Sequence, residues 1–350
     1  MFRNILIFLL TAILAGGCTK EDLGQCTGFR LMFEYTYNKQ NQNLLTIRIH
    51  DIRVYIFDQS TGLLVKIVRV GDASIARGWV DVDLPDGVYT ASAWAGSSTD
   101  MMQAGFMDAE MDNPASQLYK LQATIGHTTL QNFRMMLAYN ALTGGEIAPK
   151  IEQFDDLFFA MAQNISVKTG GRNQTVKFDF LKNTSILKVK ISGLERLWSY
   201  DQTPAHPLNV FVTGKNGRYN YDNKIDAYAQ QVHYEPPYTA LTASEMDIDI
   251  KELRLDIYRN AAYPSLLHIV NPVTGQDMVP PLNIIDMILS AKDKNTGAYI
   301  WKNQDDIDRE EEFPIEISIL YDLSVSVSVN GFEVVNTSPD ISRPKIENRQ

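Results

Sequence analysis

Alternation of apolar and polar residues with a period of two dominates this chain from about residue 46 onward. In Ile52-Arg53-Val54-Tyr55-Ile56-Phe57 every second residue is β-branched. Turn residues follow in Asp58-Gln59-Ser60-Thr61-Gly62, and an apolar stretch resumes from Leu63 to Val70. That order predicts a β-hairpin. Val80-Asp81-Val82-Asp83-Leu84 alternates cleanly, which directs Val80, Val82 and Leu84 to a core and both aspartates to water. Pro85-Asp86-Gly87 supplies a turn before a strand from Val88 to Trp94. Residues 97–125 have another texture, with Met101, Met102, Met107 and Met111 among Ala, Asp and Gln, and Pro114 interrupting. The expectation there is a loop with one short helix packed on a sheet edge.

Strand periodicity returns in Leu157–Val167, Val176–Phe180 and Ile186–Ile191, the last with Leu187, Val189 and Ile191 inward. Gly170-Gly171 within the polar stretch 168–173 marks a domain junction, so a second β-domain is expected from 174. Its later strands are read at Leu253–Ile257, Ser265–Val270, Ile315–Leu320 and Ser324–Val329, with one helix at Asn283–Leu289. The acidic run Asp305–Glu312 reads as a solvated loop, because it lacks the spaced ligands and glycine of a calcium loop. Many short strands and few helical periods make the chain all-β: two tandem β-sandwiches, 27–173 and 174–350, with a few short helices.

The first residues follow a different pattern. Arg3 leads into an apolar run from Ile5 to Ala15, broken only by Thr11, and then Gly16-Gly17-Cys18. A basic start, a short apolar core and small residues before a cleavage point make a secretory signal peptide. The run is too short to cross a bilayer, which takes ~20 apolar residues. The cysteine after the small pair resembles a bacterial lipobox, in which that cysteine is acylated and becomes the new N-terminus. Residues 1–17 are then a lipoprotein signal peptide, Cys18 is the lipid-attachment site, and 18–26 form a lipidated tether. Ala15 stands where leucine usually precedes the cysteine by three, with Leu14 one further back. An ordinary signal peptide cleaved near Gly17 is the alternative. Lys20-Glu21-Asp22 resembles the tag that sends lipoproteins to the cell surface in some Gram-negative groups.

The formal net charge of −10 argues against nucleic acid, whose phosphates demand a basic face. Apart from Cys18 only Cys26 remains as a thiol, so no internal disulfide framework forms. The histidines His50, His127, His206, His233 and His268 lie more than five residues from one another and from either cysteine, and no zinc spacing appears. No nucleophile elbow, Walker loop or dinucleotide fingerprint is present, and no catalytic residue, metal site or cofactor is assigned. Asp155-Asp156 or Asp81 with Asp83 could pair as glycosidase carboxylates only if the fold joined them. Solvent-facing carboxylates are the plainer reading. Trp79, Trp94, Trp198 and Trp301 are candidate sugar-stacking groups, although Trp94 follows Ala91 and Ala93 and reads as packing. In Tyr299-Ile300-Trp301, alternation makes Ile300 the core residue and leaves Tyr299 and Trp301 on the other face.

Several segments together resemble one family. They are Cys18 with Glu21-Asp22-Leu23 and Cys26, Val54-Tyr55-Ile56-Phe57-Asp58 before the Gly62 turn, and Leu84-Pro85-Asp86-Gly87-Val88-Tyr89 before Ala93-Trp94-Ala95-Gly96. Leu181-Lys182-Asn183-Thr184, Leu266-Leu267-His268-Ile269-Val270-Asn271 with Thr274-Gly275, and Val327-Ser328-Val329-Asn330-Gly331-Phe332 complete the order. Phe332 stands where tryptophan is the usual residue. Their order and spacing are similar to the FimB-type fimbrial anchor lipoproteins of Bacteroidales-type (type V) fimbriae. The resemblance implies two transthyretin-like β-sandwich domains, and a non-enzymatic lipoprotein that tethers a fimbria to the outer membrane and limits its length. It implies fimbrial stalk subunits as partners through strand addition, and the outer membrane as partner through lipid. Cleavage beyond Cys18 would cut the domain from its lipid, so the first strand, near Thr27 to Tyr37, is expected to stay. The polar tail Asn336–Gln350 carries Pro339 and Pro344 and makes a poor donor strand. A tip or accessory adhesin subunit and a surface glycan-binding lipoprotein are the alternatives.

Overall fold

The computed structural model describes residues 28–103, 105–111, 120–137, 150–151, 154–168, 174–197, 208–229 and 231–337. Two sheets form the first sandwich. One is three-stranded, with β1 (Gly28–Glu34) between β11 (Thr175–Asp179) and β4 (Trp79–Asp83). The other has the order β12 (Leu181–Lys182), β10 (Leu157–Val167), β5 (Gly87–Gly96), β2 (Asp51–Asp58) and β3 (Leu64–Val70). The hairpin read at 52–70 is β2 and β3, paired from Ile52↔Val70 to Phe57↔Leu64. Residues of one parity, Ile52, Val54, Ile56, Ala91 and Ala93, pack with Leu31, Phe33, Val82 and Phe178 from the facing sheet. The other parity is buried as well. Tyr55, Phe57, Trp94 and Phe159 pack with Phe106 and Phe133. Those two belong to a third layer with the order β15 (Arg218–Asn220), β8 (Phe133–Leu137), β6 (Phe106–Glu110) and β7 (Lys120–Leu121). The middle sheet is therefore covered on both faces, as the unbroken apolar run Tyr55-Ile56-Phe57 requires.

The second sandwich opposes two six-stranded sheets. The order of one is β17 (Tyr238–Leu241), β18 (Glu245–Leu253), β13 (Thr184–Ser192), β22 (Glu312–Ile319), β23 (Val325–Val329) and β24 (Phe332–Thr337). The other order is β20 (Gln276–Asp277), β19 (Leu266–Asn271), β14 (Asn209–Gly214), β16 (Val232–Tyr234) and β9 (Lys150–Ile151), with β21 (Leu282–Asn283) beside β19. Leu187, Val189 and Ile191 face inward as expected, at 0%, 1% and 0% exposure. Gly193 ends β13 at φ +85°, and a Cβ there would lie 2.3 Å from the Ile319 carbonyl oxygen. Only glycine fits that position.

Among the described residues four short α-helices complete the fold: α1 (Leu45–Arg48), α2 (Asp72–Arg77), α3 (Ile284–Ser290) and α4 (Gln304–Arg309). The helix expected at Asn283–Leu289 is α3, whose N-cap Asn283 side chain accepts from the Asp286 amide.

The two halves are not independent. One continuous core runs from Tyr55, Trp94 and Phe133 to Leu187, Val212 and Val329. Strands also cross: β15 of the second half pairs with β8, and β9 pairs with β16.

Several expectations are corrected. The break placed at 174 precedes two strands that belong with the first sandwich. β11 runs parallel to β1, β12 pairs with β10, and Phe178 and Phe180 stack on Phe33. No helix occurs among the described residues of 97–125. The segment instead supplies β6, because pairing with β8 and burial of Phe106 and Ala109 override the helical leaning of Met and Ala. The acidic run is not a loop. Asn303 caps α4, Asp305 and Asp306 occupy its positive first turn, and Ile307 is buried. Of the strand read at Leu253–Ile257 only Leu253 lies in a strand, as the last residue of β18. A helix, α1, takes up residues 45–48 before β2 begins at Asp51.

Candidate functional site

Cys18, Cys26 and the signal sequence lie outside the described residues, as do Trp198, His206, Gly170-Gly171 and residues 338–350. What the structure describes is how the chain is gripped from Gly28 onward. β1 is hydrogen-bonded on both sides, from Arg30↔Thr175 to Glu34↔Asp179 and from Gly28↔Asp83 to Met32↔Trp79. Phe29, Leu31, Phe33 and the following Tyr35 are all at most 4% exposed. Each such side chain contributes roughly 1.5–3 kcal/mol by leaving water. On the outer face Arg30 forks onto Asp81 at 2.8 and 3.0 Å, and its guanidinium lies 3.6 Å from the Trp79 ring centroid. Arg77 stands over the same ring at 4.8 Å, so Trp79 is occupied by cations of its own chain.

Beyond β1 the chain is stapled to the second half. Glu311, which leads into β22, receives Arg48 at 2.9 Å and Tyr35 Oη at 3.4 Å, with Lys182 Nζ at 3.7 Å. Lys182 also reaches Asp156 at 3.2 Å, and Asp156 takes Lys251 of β18 at 2.7 Å and Thr184 Oγ1 at 2.9 Å. Burial favours the neutral Asp156 carboxyl, but Lys182 and Lys251 outweigh it and hold it below the usual carboxylate range. Burial, and then Glu311, keep the Tyr35 phenol protonated well above its ordinary range. Further out Lys39 meets Glu310 at 2.6 Å, and Tyr37 donates to Asp305 beneath the Arg309 guanidinium. A second joint is fully internal. Asp226 pairs with Arg134 of β8 and Arg218 of β15, while Asn183 and Asn223 exchange side-chain hydrogen bonds. Removing one member of such a buried set strands a charge and costs ~3–5 kcal/mol, whereas an exposed pair contributes ~0–1 kcal/mol.

The other candidate groups resolve as follows. Asp156 is committed to its lysines and Asp81 to Arg30, so neither stands as half of a carboxylate pair. Trp94 is fully buried and donates to Ser92 Oγ at 2.9 Å, as its neighbours suggested. The alternation read at 299–301 holds for Tyr299, which is 50% exposed, but not for its neighbours: Trp301 is 5% exposed and packs on Phe313, and Ile300 is intermediate. The segment lies on a hairpin end rather than in a continuous strand, so a period of two does not apply. Tyr299 lines a surface cleft of ≈ 580 Å³ with Asp286, Leu289, Ser290, Lys292 and Phe332.

The fold also makes two arrangements that spacing does not reveal. Phe211 is stacked between His233 at 3.9 Å and His268 at 4.7 Å, because β16, β14 and β19 are neighbours. Glu252 on β18 is fully buried, with the Ser265 hydroxyl as the polar group beside its carboxylate. Burial pushes its carboxyl up to about 8, and nearby Ser265 offsets only part of that rise. The alternation Met246-Asp247-Ile248-Asp249-Ile250 was the available signal that residue 252 points inward. Among the described residues, no cluster of three or more His, Cys, Asp or Glu could hold a metal ion.

No curated protein sequence matches this chain significantly. Solved structures share its fold. The fimbrial anchor protein Mfa2 from Porphyromonas gingivalis aligns with a TM-score of 0.61 at 19% identity, over 89% of this chain and 99% of that one. A candidate adhesin from Bacteroides ovatus aligns at 0.69 and 17% identity, over 90% and 96% of the two chains. A candidate polysaccharide-binding protein from Bacteroides thetaiotaomicron aligns at 0.65 and 18% identity, over 88% and 97%. The sequence profile of the Mfa2 family, fimbrillin-A associated anchor proteins Mfa1 and Mfa2, matches residues 22–338. With nearly the whole chain covered by that profile, this protein belongs to the fimbrillin-A-associated anchor family and is a fimbria-associated protein of the cell surface.

Proposed function

We propose that this chain is a non-enzymatic lipoprotein that holds the base of a fimbria at the outer membrane. Cys18 carries the acyl chains, palmitate among them, and residues 18–26 form the tether. The mature protein stands on the outer surface, joins fimbrial stalk subunits by strand or edge contact, and limits fibre length. Each acyl CH2 buried contributes ~0.8 kcal/mol, and more than one chain is needed for a stable anchor.

The observation that carries this reading is the grip on β1. A strand bonded on both sides, with three inward aromatic or aliphatic residues and the buried Tyr35 just after it, passes tension from a lipidated N-terminus straight into a sheet. The ion pairs of Glu311 and Asp156 then spread that load to the second sandwich. A stalk subunit that gave up its first strand would lose this path. A tip adhesin has no need of the membrane-side grip.

Substituting Cys18→Ala tests the anchor. Fimbrial antigen and the variant chain are expected in the culture medium, with the variant's thermal midpoint unchanged. A variant that stays membrane-bound together with its fimbriae contradicts the lipid-anchor reading.

A further inference from the structure

A sugar ring has two unlike surfaces: an apolar face of C–H bonds and a rim of hydroxyls, each of which both donates and accepts. A site for it needs a flat apolar group that the protein does not bury itself, with donors and acceptors around it. Among the described residues the tryptophans do not meet that need. Trp79 is covered by Arg30 and Arg77, and Trp94 and Trp301 are buried. Tyr299 does, half exposed in the wall of the cleft of ≈ 580 Å³. That volume falls within the range of small-ligand sites, about 300–1,000 Å³.

The order of elements builds this cleft. After α3 ends at Ser290 the chain makes a short hairpin, in which Lys292 pairs with Tyr299 and Gly297 takes φ +69°. The Asp293 side chain holds the turn by accepting from the amides of Asn295 and Thr296. Tyr299 is thereby returned to the side of α3, where Asp286, Leu289 and Ser290 share one helix face, and Phe332 completes the lining. The polar groups are already oriented. Asn260 Nδ2 donates to Asp286 Oδ1 at 2.7 Å, which fixes the carboxylate and leaves its other oxygen as an acceptor. Ser290 donates its proton to the Asp286 carbonyl at 2.7 Å, so its hydroxyl oxygen can only accept. Lys292 Nζ, 4.7 Å from the Tyr299 ring centroid, can only donate. Two acceptors and a donor beside an apolar ring suit a ligand whose neighbouring groups both donate and accept. Hydroxyls on adjacent carbons do so, whereas each peptide N–H or C=O does one or the other. Asp286 is the one carboxylate of the lining, so no second acid stands ready to cleave a glycosidic bond.

We propose that this cleft is a carbohydrate-binding site for one pyranose residue of a polysaccharide, whose apolar face stacks on Tyr299 while its hydroxyls donate to Asp286 and Ser290 and accept from Lys292. The ligand is held and not hydrolysed. The cleft lies on the second sandwich, on residues that take no part in the grip on β1, so the site stands or falls apart from the anchor reading.

The test is saturation-transfer NMR on the full chain in a detergent without a sugar headgroup. The probes are maltohexaose, cellohexaose and the surface polysaccharide extracted from the producing strain. Saturation of the C–H protons on one ring face of at least one probe is expected. The two glucans stand for a foreign glycan and the extract for the cell's own coat, so the responding probe identifies the source. Tyr299→Ala should weaken binding of that probe about tenfold, the scale of one lost aromatic hot spot, with the thermal midpoint of the protein unchanged. Tyr299→Phe keeps the ring and should retain binding. Tyr321→Ala, at a tyrosine 89% exposed beneath Arg196, is the control and should leave binding as it is. The absence of saturation in all three probes overturns the proposal. Binding that survives Tyr299→Ala, or that falls as far in Tyr321→Ala, overturns it as well.

Discussion

The first and last strands of the described chain make opposite uses of the same geometry. β1 is inserted between two partners, buries Phe29, Leu31 and Phe33, and is tied by the segment that follows it to β22 and β18. Among the described residues β24 pairs with β23 alone, and its first residue, Phe332, borders a cleft lined by Tyr299 and Lys292. Both strands are hydrophobic and short. What separates them is position in the sheet: a central strand transmits load to two neighbours, whereas a strand paired once transmits it to one. Under the proposed function the strand nearest the lipid is the one that carries load.

The contrast breaks most completely if β1 loses its grip. Leu31→Ala, at a site with no exposure, is expected to destabilise the protein by ~2–5 kcal/mol, measured by denaturant unfolding. Phe332→Ala on β24, which is only partly buried, should cost far less in the same assay. An equal loss at the two positions would remove the distinction between the doubly and the singly paired strand. Asp156→Ala comes next, because it leaves Lys182 buried beside Glu311 alone. A loss of ~3–5 kcal/mol is expected, and the same assay on Lys39→Ala should show no more than ~1 kcal/mol.

Glu252 sharpens the comparison at the level of the shared core. Its carboxyl titrates at about 8 in the folded protein against 4.5 ordinarily, because burial disfavours the charge. Between those two values the folded state holds a proton that the unfolded state has released. Stability must therefore fall as pH rises from about 4.5 to about 8 and level off above, by an amount on the order of several kcal/mol. Glu252→Gln should flatten that slope, as followed by thermal midpoints across the range. A slope of the same size in the variant would assign it to another group. The smallest effect is expected at the exposed Arg30–Asp81 pair, where Asp81→Asn should change stability least of all and lose most of that small effect in high salt.

The strands were largely legible from alternation alone. Ile52–Phe57, Leu63–Val70, Val80–Leu84, Ile186–Ile191 and Ser324–Val329 each match an observed strand within a residue or a few. What alternation could not tell was which sheet a strand joins. Thr175–Lys182 follows a glycine pair that looks like a boundary, yet Phe178 and Phe180 are claimed by Phe33, nearly 150 residues earlier. Phe106–Glu110 was hidden because methionine and alanine serve helices and strands alike, and partner strands decide between them. The staples at Asp156 and Glu311 were invisible for a related reason. Their charges sit in polar stretches that read as solvated loop, and only the fold turns those stretches toward each other. Trp301 shows the converse: a residue in an exposed-looking hairpin end can still be pulled into the core by a neighbour such as Phe313.

The central claim is that one unbroken chain runs from a lipid on Cys18 into a retained β1. Mass spectrometry of the protein extracted from outer membranes of fimbriated cells tests it most directly. The account predicts an N-terminal peptide that begins at an acylated Cys18 and continues without a cut through Phe29, Leu31 and Phe33. A mature chain that begins beyond β1, or an unmodified Cys18 on membrane-held protein, would contradict it.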